Sequence, residues 1–472
     1  MADKLYEENH VQNIANAIRN RNNSSNTYKI SEMADAITNL PSGGADLNDY
    51  FILNLEVPAY SAYPGLIRGC IKKLPNDISI TNLTSCYQIF SEFYNLTDVP
   101  NFNTSNVTNM FYMFSNCYNL TEVPNFDTSK VIDTGYMFYN CHNLTEIPNF
   151  DFSSVNRTHY LFFGCRTITN IPDLNFSNKV TGLTFMFSGC YNLTSINSNY
   201  FSNINNATSY DSVFKDCYNL TEVPNFNTSN VTVMTNMFNS CYNLVNIPNF
   251  NTSKVNIMAN MFSNCHNLTE VPNFDTSNVT NMQYMFSHCH NLTEIPNFDT
   301  SNVNNICFQR AFSDCYNLIS IPNLNLLKVN TISYTFSNCY NLVNVPNLNI
   351  PNCTSIGSTF MNCYNLVDAP YITTSNCITM TYAFSNCYNL VNIPQYNTIK
   401  TNNLVGFAFK CNNLSDNSIQ NIINMCLNSN VTNTRLKNVS NKNTYSPFSN
   451  TNIANAQYQN RWNELTAAGW AY

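Results

Sequence analysis

A cysteine returns through this chain at an almost constant interval. It stands at Cys117, Cys141, Cys165, Cys190, Cys217, Cys241, Cys265, Cys289, Cys315, Cys339, Cys363, Cys387 and Cys411, mostly 24 residues apart, with single intervals of 25, 27 and 26. A block repeats around it, seen clearly from Asn267 to Cys289: N-L-T-E-V-P-N-F-D-T-S-N-V-T-N-M-Q-Y-M-F-S-H-C. A unit this short has too little apolar surface to close a core of its own. Successive units must stack and share one, which makes the chain a solenoid. The frame begins before the first of these cysteines. Ile71-Lys72-Lys73-Leu74-Pro75 matches Leu268 to Pro272, and Phe93 stands in the cysteine position. The array is read from residue 71 to residue 414, about 14 coils of ~24 residues.

Within one coil, Val279, Met282, Met285, Phe286 and Cys289 are spaced as one face of a short helix, with Thr276 or Ser277 as its cap after Asp275. Leu268 to Val271 is β-friendly and short. It is read as a strand pairing in parallel with the next coil, stopped by Pro272, which cannot donate to a ladder. Phe274 then turns the chain back over the core. The Asn residues before Leu and after Pro recur at fixed places and are expected to form ladders along the stack. The expected fold class is therefore α/β, with one short parallel strand and one short helix per coil. Two coils carry extra residues, around Tyr200 to Ala207 and around Ile306 to Gln309, and such insertions are expected to bulge from one face.

The flanks are different. Residues 1–42 carry apolar residues at helical spacing (Val11, Ile14, Ala15, Ile18; Met33, Ala34, Ile37) around a polar loop, and read as a helix-loop-helix anchoring module. Residues 43–70 read as linker and N-terminal cap. Residues 415–472 read as a helical C-terminal cap. There Ser415 caps a helix from Asp416 to Cys426, and a second helix from Ala456 to Ala468 ends on Gly469.

Charged residues are 10% of the chain and the net charge is −7. No basic patch exists to neutralise phosphates, which argues against a nucleic-acid partner. Most of the 19 cysteines occupy one repeat position. Side chains in such a ladder point the same way and not at each other, so free buried thiols are expected. The N-terminal residues show no secretory leader pattern and no apolar run is long enough to span a bilayer. No cofactor motif is present.

The block N-F-D-T-S-N-V-T-N-M-x-Y-M-F-S-x-C with the following N-L-T resembles the BspA-like leucine-rich repeat family of bacterial, phage and protist proteins. The resemblance implies a right-handed leucine-rich-repeat solenoid and a surface or adhesion role, although Val/Ile-Pro stands here where that family has a longer strand segment. Val11 to Arg19 and Tyr28 to Ile37 are similar to leader modules of tail-associated proteins in phages of low-GC Gram-positive bacteria. That likeness implies a virion protein made in the host cytoplasm.

Thr121-Glu122, Thr145-Glu146, Thr221-Glu222, Thr269-Glu270 and Thr293-Glu294 are the candidate ligand-contact residues, a polar row on the strand face. Carboxylates on adjacent coils would lie ~5 Å apart by strand spacing, near the separation in retaining glycosidases. The pairs repeat without singularity, so a solvated, ligand-contacting row is the preferred reading and a polysaccharide depolymerase the alternative. His266, His288 and His290 beside Cys265 and Cys289 suggest metal ligation. His266 and His290 however occupy a position that is otherwise Tyr, which makes them ladder residues. Asp127, Asp151, Asp275 and Asp299 are explained as helix N-terminal carboxylates without calcium. No catalytic or metal residues are assigned.

The expected function is a non-enzymatic, virion-associated binding or structural protein of a phage tail or fibre. Residues 1–42 would meet other tail proteins and the solenoid a host glycan or protein. Homo-oligomerisation is compatible with this. A bacterial cell-surface adhesin and a purely structural spacer are the alternatives.

Overall fold

The computed structural model describes residues 74, 83–197, 199–432 and 459–470. The helix-loop-helix expected over residues 1–42, the cap over 43–70 and residues 433–458 between the two C-terminal helices lie outside them. The chain divides into two compact units, Met1–Leu220 and Thr221–Tyr472. Each is a stack of the predicted coils, and each is a repeat solenoid.

The expected helix of the coil is not formed. From Met282 to Cys289 the backbone runs as successive tight turns. Met285, Ser287 and Cys289 donate to Met282, Tyr284 and Phe286, three residues back. The alternate residues Met282, Tyr284, Phe286 and His288 donate to Cys307, Gln309, Ala311 and Ser313 of the next coil at 2.8–3.2 Å. An α-helix would spend every N–H inside its own coil. The turn chain sends half of them across and so joins the coils into a stack. Unit 1 repeats the pattern, with Met110, Tyr112, Phe114 and Asn116 donating to Asp133, Gly135, Met137 and Tyr139.

This geometry needs two left-handed residues per coil. Tyr112 (φ 59°) and Asn116 (φ 62°), and likewise Tyr284 (57°) and His288 (61°), take them. Each such non-glycine residue costs about 1 kcal/mol, which the inter-coil hydrogen bonds offset. Apolar residues three apart mark a chain of turns as readily as a helix, which is why the spacing misleads.

The strand is also reduced. Parallel pairing in the Leu–Val segment is limited to single bridges such as Glu222 with Asn246, Ser320 with Asn344 and Asp368 with Asn392. A second row of bridges opens the turn segment: Ser85, Asn109, Asp133 and Arg157 in unit 1, and Thr331, Ser355, Thr379 and Asn403 in unit 2. Proline ends the first segment as expected. Phe126, Phe150, Phe274 and Phe298 donate to the proline carbonyl two residues back, a γ-type turn that folds the ring over the core.

The core is built of ladders. Phe90, Phe114, Phe138, Phe162, Phe187 and Phe214 stack in unit 1 with centroids 5.4–5.7 Å apart. Phe238, Phe262, Phe286, Phe312, Phe336, Phe360 and Phe384 do so in unit 2 at 5.3–5.8 Å. Beside them lie the repeat cysteines, and every cysteine among the described residues is free. The Cys289 thiol donates to the Phe262 carbonyl of the preceding coil at 3.1 Å, and Cys117, Cys165 and Cys339 make the same bond to Phe90, Phe138 and Phe312. Burial raises the Cys289 thiol well above its ordinary range, so it acts as a small apolar rung with one donor. The Asn residues before Leu form the expected ladder: Asn143 donates to Asn119, Asn341 to Asn317 and Asn365 to Asn341 at 3.2 Å. The Asn residues after proline (Asn125, Asn149, Asn273) stand exposed.

The two insertions behave differently. Near residue 306 the chain bulges and exposes Ile306. In the coil from Cys190 to Cys217 the extra residues instead bring Tyr200 and Phe201 into the core, 1% exposed each, with Tyr200 edge-on to Phe187. The chain following the array folds into α1 (Asp416–Asn428) and α2 (Gln459–Ala467). The Ser415 hydroxyl accepts from the Ser418 N–H as predicted, and Ile419, Ile422, Ile423 and Met425 are buried. α1 lies on the last coil: the Ser418 hydroxyl donates to the Val391 carbonyl and Thr398 donates to the Met425 carbonyl. α2 ends on Gly469 at φ 81°. Gly469 and Trp470 donate to Thr466 and Leu465, a Schellman closure that packs Trp470 beside Leu465.

Candidate binding surface

All five Thr-Glu pairs are exposed: Thr121, Glu122, Thr145 and Glu146 on unit 1, and Thr221, Glu222, Thr269, Glu270, Thr293 and Glu294 on unit 2. On unit 1 the first residue of each pair has a structural task. The Thr145 N–H and hydroxyl both reach the Thr121 carbonyl at 3.1 Å, and Thr121 does the same to Thr97 at 3.0 Å. On unit 1 the glutamate side chains are therefore the members of the row left to meet a partner. Nothing in the arrangement singles out one carboxylate from the next, as hydrolysis would require.

Beside this row runs an aromatic ladder at the position after the repeat cysteine. In unit 2 it reads Tyr242, His266, His290, Tyr316, Tyr340, Tyr364 and Tyr388, with centroids 4.3–5.0 Å apart. The two histidines are rungs, as their position predicts. Among the described residues no group of three metal-ligating side chains is present. Burial lowers the pKa of both histidines, helped at His290 by the neighbouring His266 and His288 and opposed by Asp314. A base whose folded pKa is depressed costs stability when it must charge. Unit 2 should keep its full stability above about pH 6.5 and lose it as pH falls below that value through the folded pKa. Replacing His266 and His290 by tyrosine, the residue of the neighbouring rungs, should flatten that slope between pH 7 and 5 in urea melts. An unchanged slope would refute the assignment. His142 and His159, also lowered by burial, remain to act on unit 1.

The aspartates correct the sequence reading. Asp275 precedes no helix. Its Oδ1 accepts from the Ser277 N–H at 3.0 Å and the Ser277 hydroxyl at 2.6 Å, an Asx turn that lowers its pKa. Asp127 and Asp299 do the same with Ser129 and Ser301.

Sequence reasoning missed a third row, the first left-handed residue of each coil. In unit 1 it is Tyr112, Tyr136, Tyr160 and Phe185, stacked at 4.5–4.8 Å. Phe111 and His159 close over Gly135 between them; a Cβ there would come within 2.8 Å of the Phe111 ring. In unit 2 the row holds Tyr284, Arg310 and Tyr334. The Arg310 guanidinium lies between the rings, 5.7 Å from one centroid and 4.6 Å from the other. Counting from the cysteines places Arg310 in a row otherwise free of cations within this unit, which is the signal that reveals it.

Residues 73–174, 162–272, 208–314, 242–347 and 267–370 match the family described as Mycoplasma protein of unknown function, DUF285. Residues 332–461 match the BspA type leucine rich repeat region. No curated protein matches the chain by sequence. Among solved structures it is similar to a leucine rich cell surface protein from Faecalibacterium prausnitzii, at 20% identity and TM-score 0.38 over 69% of this chain and 83% of that one. It is also similar to a leucine-rich repeat protein from Eubacterium ventriosum, at 21% identity and TM-score 0.34 over 73% and 83%. A third is the leucine rich repeat protein of T. pallidum, at 20% identity and TM-score 0.26 over 36% and 76%.

Proposed function

Because the chain belongs to the DUF285 family, whose description assigns no activity, we propose its function from the geometry: a non-enzymatic adhesion protein whose coils present a repeated polar surface to a cell-surface glycan or protein. The observation that carries this is the division of labour inside the coil. Phe, Leu and Cys are spent on the core, while the Glu, Tyr/His and first left-handed positions recur at one coil spacing on the outside. Many weak, evenly spaced contacts sum through avidity, and a catalytic site needs the opposite, one singular environment.

We place the protein on a phage tail or fibre, with residues 1–42 docking on other tail proteins, residues 43–70 as linker and cap, about 14 coils over 71–414, and the C-terminal helices closing the last coil. The sequence of residues 1–42 supports this placement. The family's naming after mycoplasmas favours a second reading, a bacterial cell-surface adhesin. Binding of the labelled full chain to candidate host cells tests adhesion, and no saturable binding would leave a structural spacer. Removing residues 1–42 tests the placement. The truncated chain should bind cells normally and fail to co-purify with particles, and particles that still carry it would refute a tail anchor there.

A further inference from the structure

We propose that unit 2 carries an anionic-glycan site in the groove beside Arg310, a reading that rests on the adhesive role above and gives it a ligand class. The groove has a volume of about 340 Å³ and crosses successive coils of unit 2, within the ~300–1,000 Å³ range of small-ligand sites. Its floor is made of serines, with the Ser287 and Ser313 hydroxyls 2.8 Å apart. One wall is the Tyr284–Arg310–Tyr334 clamp, and the other holds His288, Asp314 and Asn338.

The charge accounting selects the ligand. Asp314 accepts from the Asn338 amide at 2.7 Å on one oxygen, and its other oxygen lies 3.7 Å from the His288 imidazole. Both of its oxygens thus already face neighbouring side chains. Arg310 forms no side-chain hydrogen bond or ion pair among the described residues, and the groups its guanidinium meets there are the two tyrosine rings. Stacking uses the faces of the guanidinium. Its N–H donors lie in the plane and stay available for a carboxylate or phosphate in fork geometry. Holding the group between two rings removes much of the entropy that binding would otherwise cost.

The remaining lining is hydroxyl, amide and imidazole, which suits a chain rich in hydroxyl groups. The groove runs along the stack, so its polar groups recur at one coil spacing, ~4.8 Å, close to the length of one sugar residue in an extended chain. Successive sugars therefore meet equivalent groups on successive coils. Unit 1 has no such floor at its third and fourth coils: Tyr139 and Phe163 occupy the positions of Ser287 and Ser313 and stack on each other at 4.9 Å. The site is thus built by small residues at one coil position and a single cation at another.

The test uses the full chain on a printed array of three- to five-sugar oligosaccharides: uronates, sialylated chains, glycerol-phosphate oligomers and neutral chains. Anionic members should bind at least tenfold better than neutral ones, and the pattern among them tells carboxylate from phosphate. Arg310→Gln should remove that preference. The double variant Ser287→Tyr/Ser313→Phe, which installs the residues unit 1 carries there, should abolish binding while the circular dichroism melt stays cooperative. Equal binding of neutral and anionic chains, no binding to any anionic member, or binding unaltered by the double variant overturns the site. Wild-type adhesion to cells that survives the double variant intact would overturn the groove and leave the adhesive role standing. Loss of all cell binding in the wild type would overturn that role itself.

Discussion

Phe286→Ala should destabilise unit 2 by about 3–5 kcal/mol, the range for deleting a buried phenylalanine. Phe286 is fully buried and stacks on Phe262 at 5.5 Å and Phe312 at 5.4 Å, with Phe298 parallel at 6.0 Å. Its backbone is committed as well: its N–H reaches Ala311 and its carbonyl accepts from Cys289 and from the Cys315 thiol. The coil is pinned on both sides, so the cavity has little freedom to collapse. Phe286→Leu should cost markedly less, since it keeps most of the volume. Urea unfolding of the two variants measures the difference. Equal, small losses would mean that the ladder is not the core of the coil.

A larger contrast is expected between removing a whole coil and removing half of one. Deleting residues 266–289 leaves Cys265 followed by His290-Asn291-Leu292, the same neighbours that Cys289 has now. Every ladder is shortened by one rung and none is interrupted. The variant should fold cooperatively with a slightly lower denaturant slope, because less surface is exposed on unfolding. Deleting residues 266–277 puts Asn278 directly after Cys265 and loses a Leu and a Phe of the core in one coil. The turn chain then meets a loop where its acceptors should be, and that protein should lose its cooperative melt or aggregate. If both deletions behave alike, the coil is not the unit of stability.

These two outcomes depend on different kinds of information. The period and the buried set were legible without a structure, because each inward residue is repeated more than a dozen times. So were the tyrosine register of His266 and His290, the Asn ladder before Leu, and the Ser415 and Gly469 caps. The helix was not, since three-residue spacing is shared by helices and chains of turns. One signal pointed the other way. The residue before the repeat cysteine is Asn, Gly or Asp at Asn116, Asn140, Gly164, Gly189, Asp216, Asn264, Asp314, Asn338, Asn362 and Asn386. These types enter the left-handed region most readily and are poor in helix interiors.

The candidate surface divides in the same way. The exposure of the Thr-Glu row followed from its register, but the use of Thr121 and Thr145 hydroxyls by the preceding coil did not. The groove beside Arg310 was invisible for a further reason. Its members come from five coils, about 24 residues apart in each step, and none is unusual alone. By itself the sequence determined that the chain stacks and which side chains share the core, because an apolar repeat shorter than a domain has no other way to leave water. Only the tertiary structure decided how the coils join and where a cation meets a serine floor. Backbone donors can be spent within a coil or between coils at similar local cost, and that choice is settled by the neighbour that supplies the acceptors.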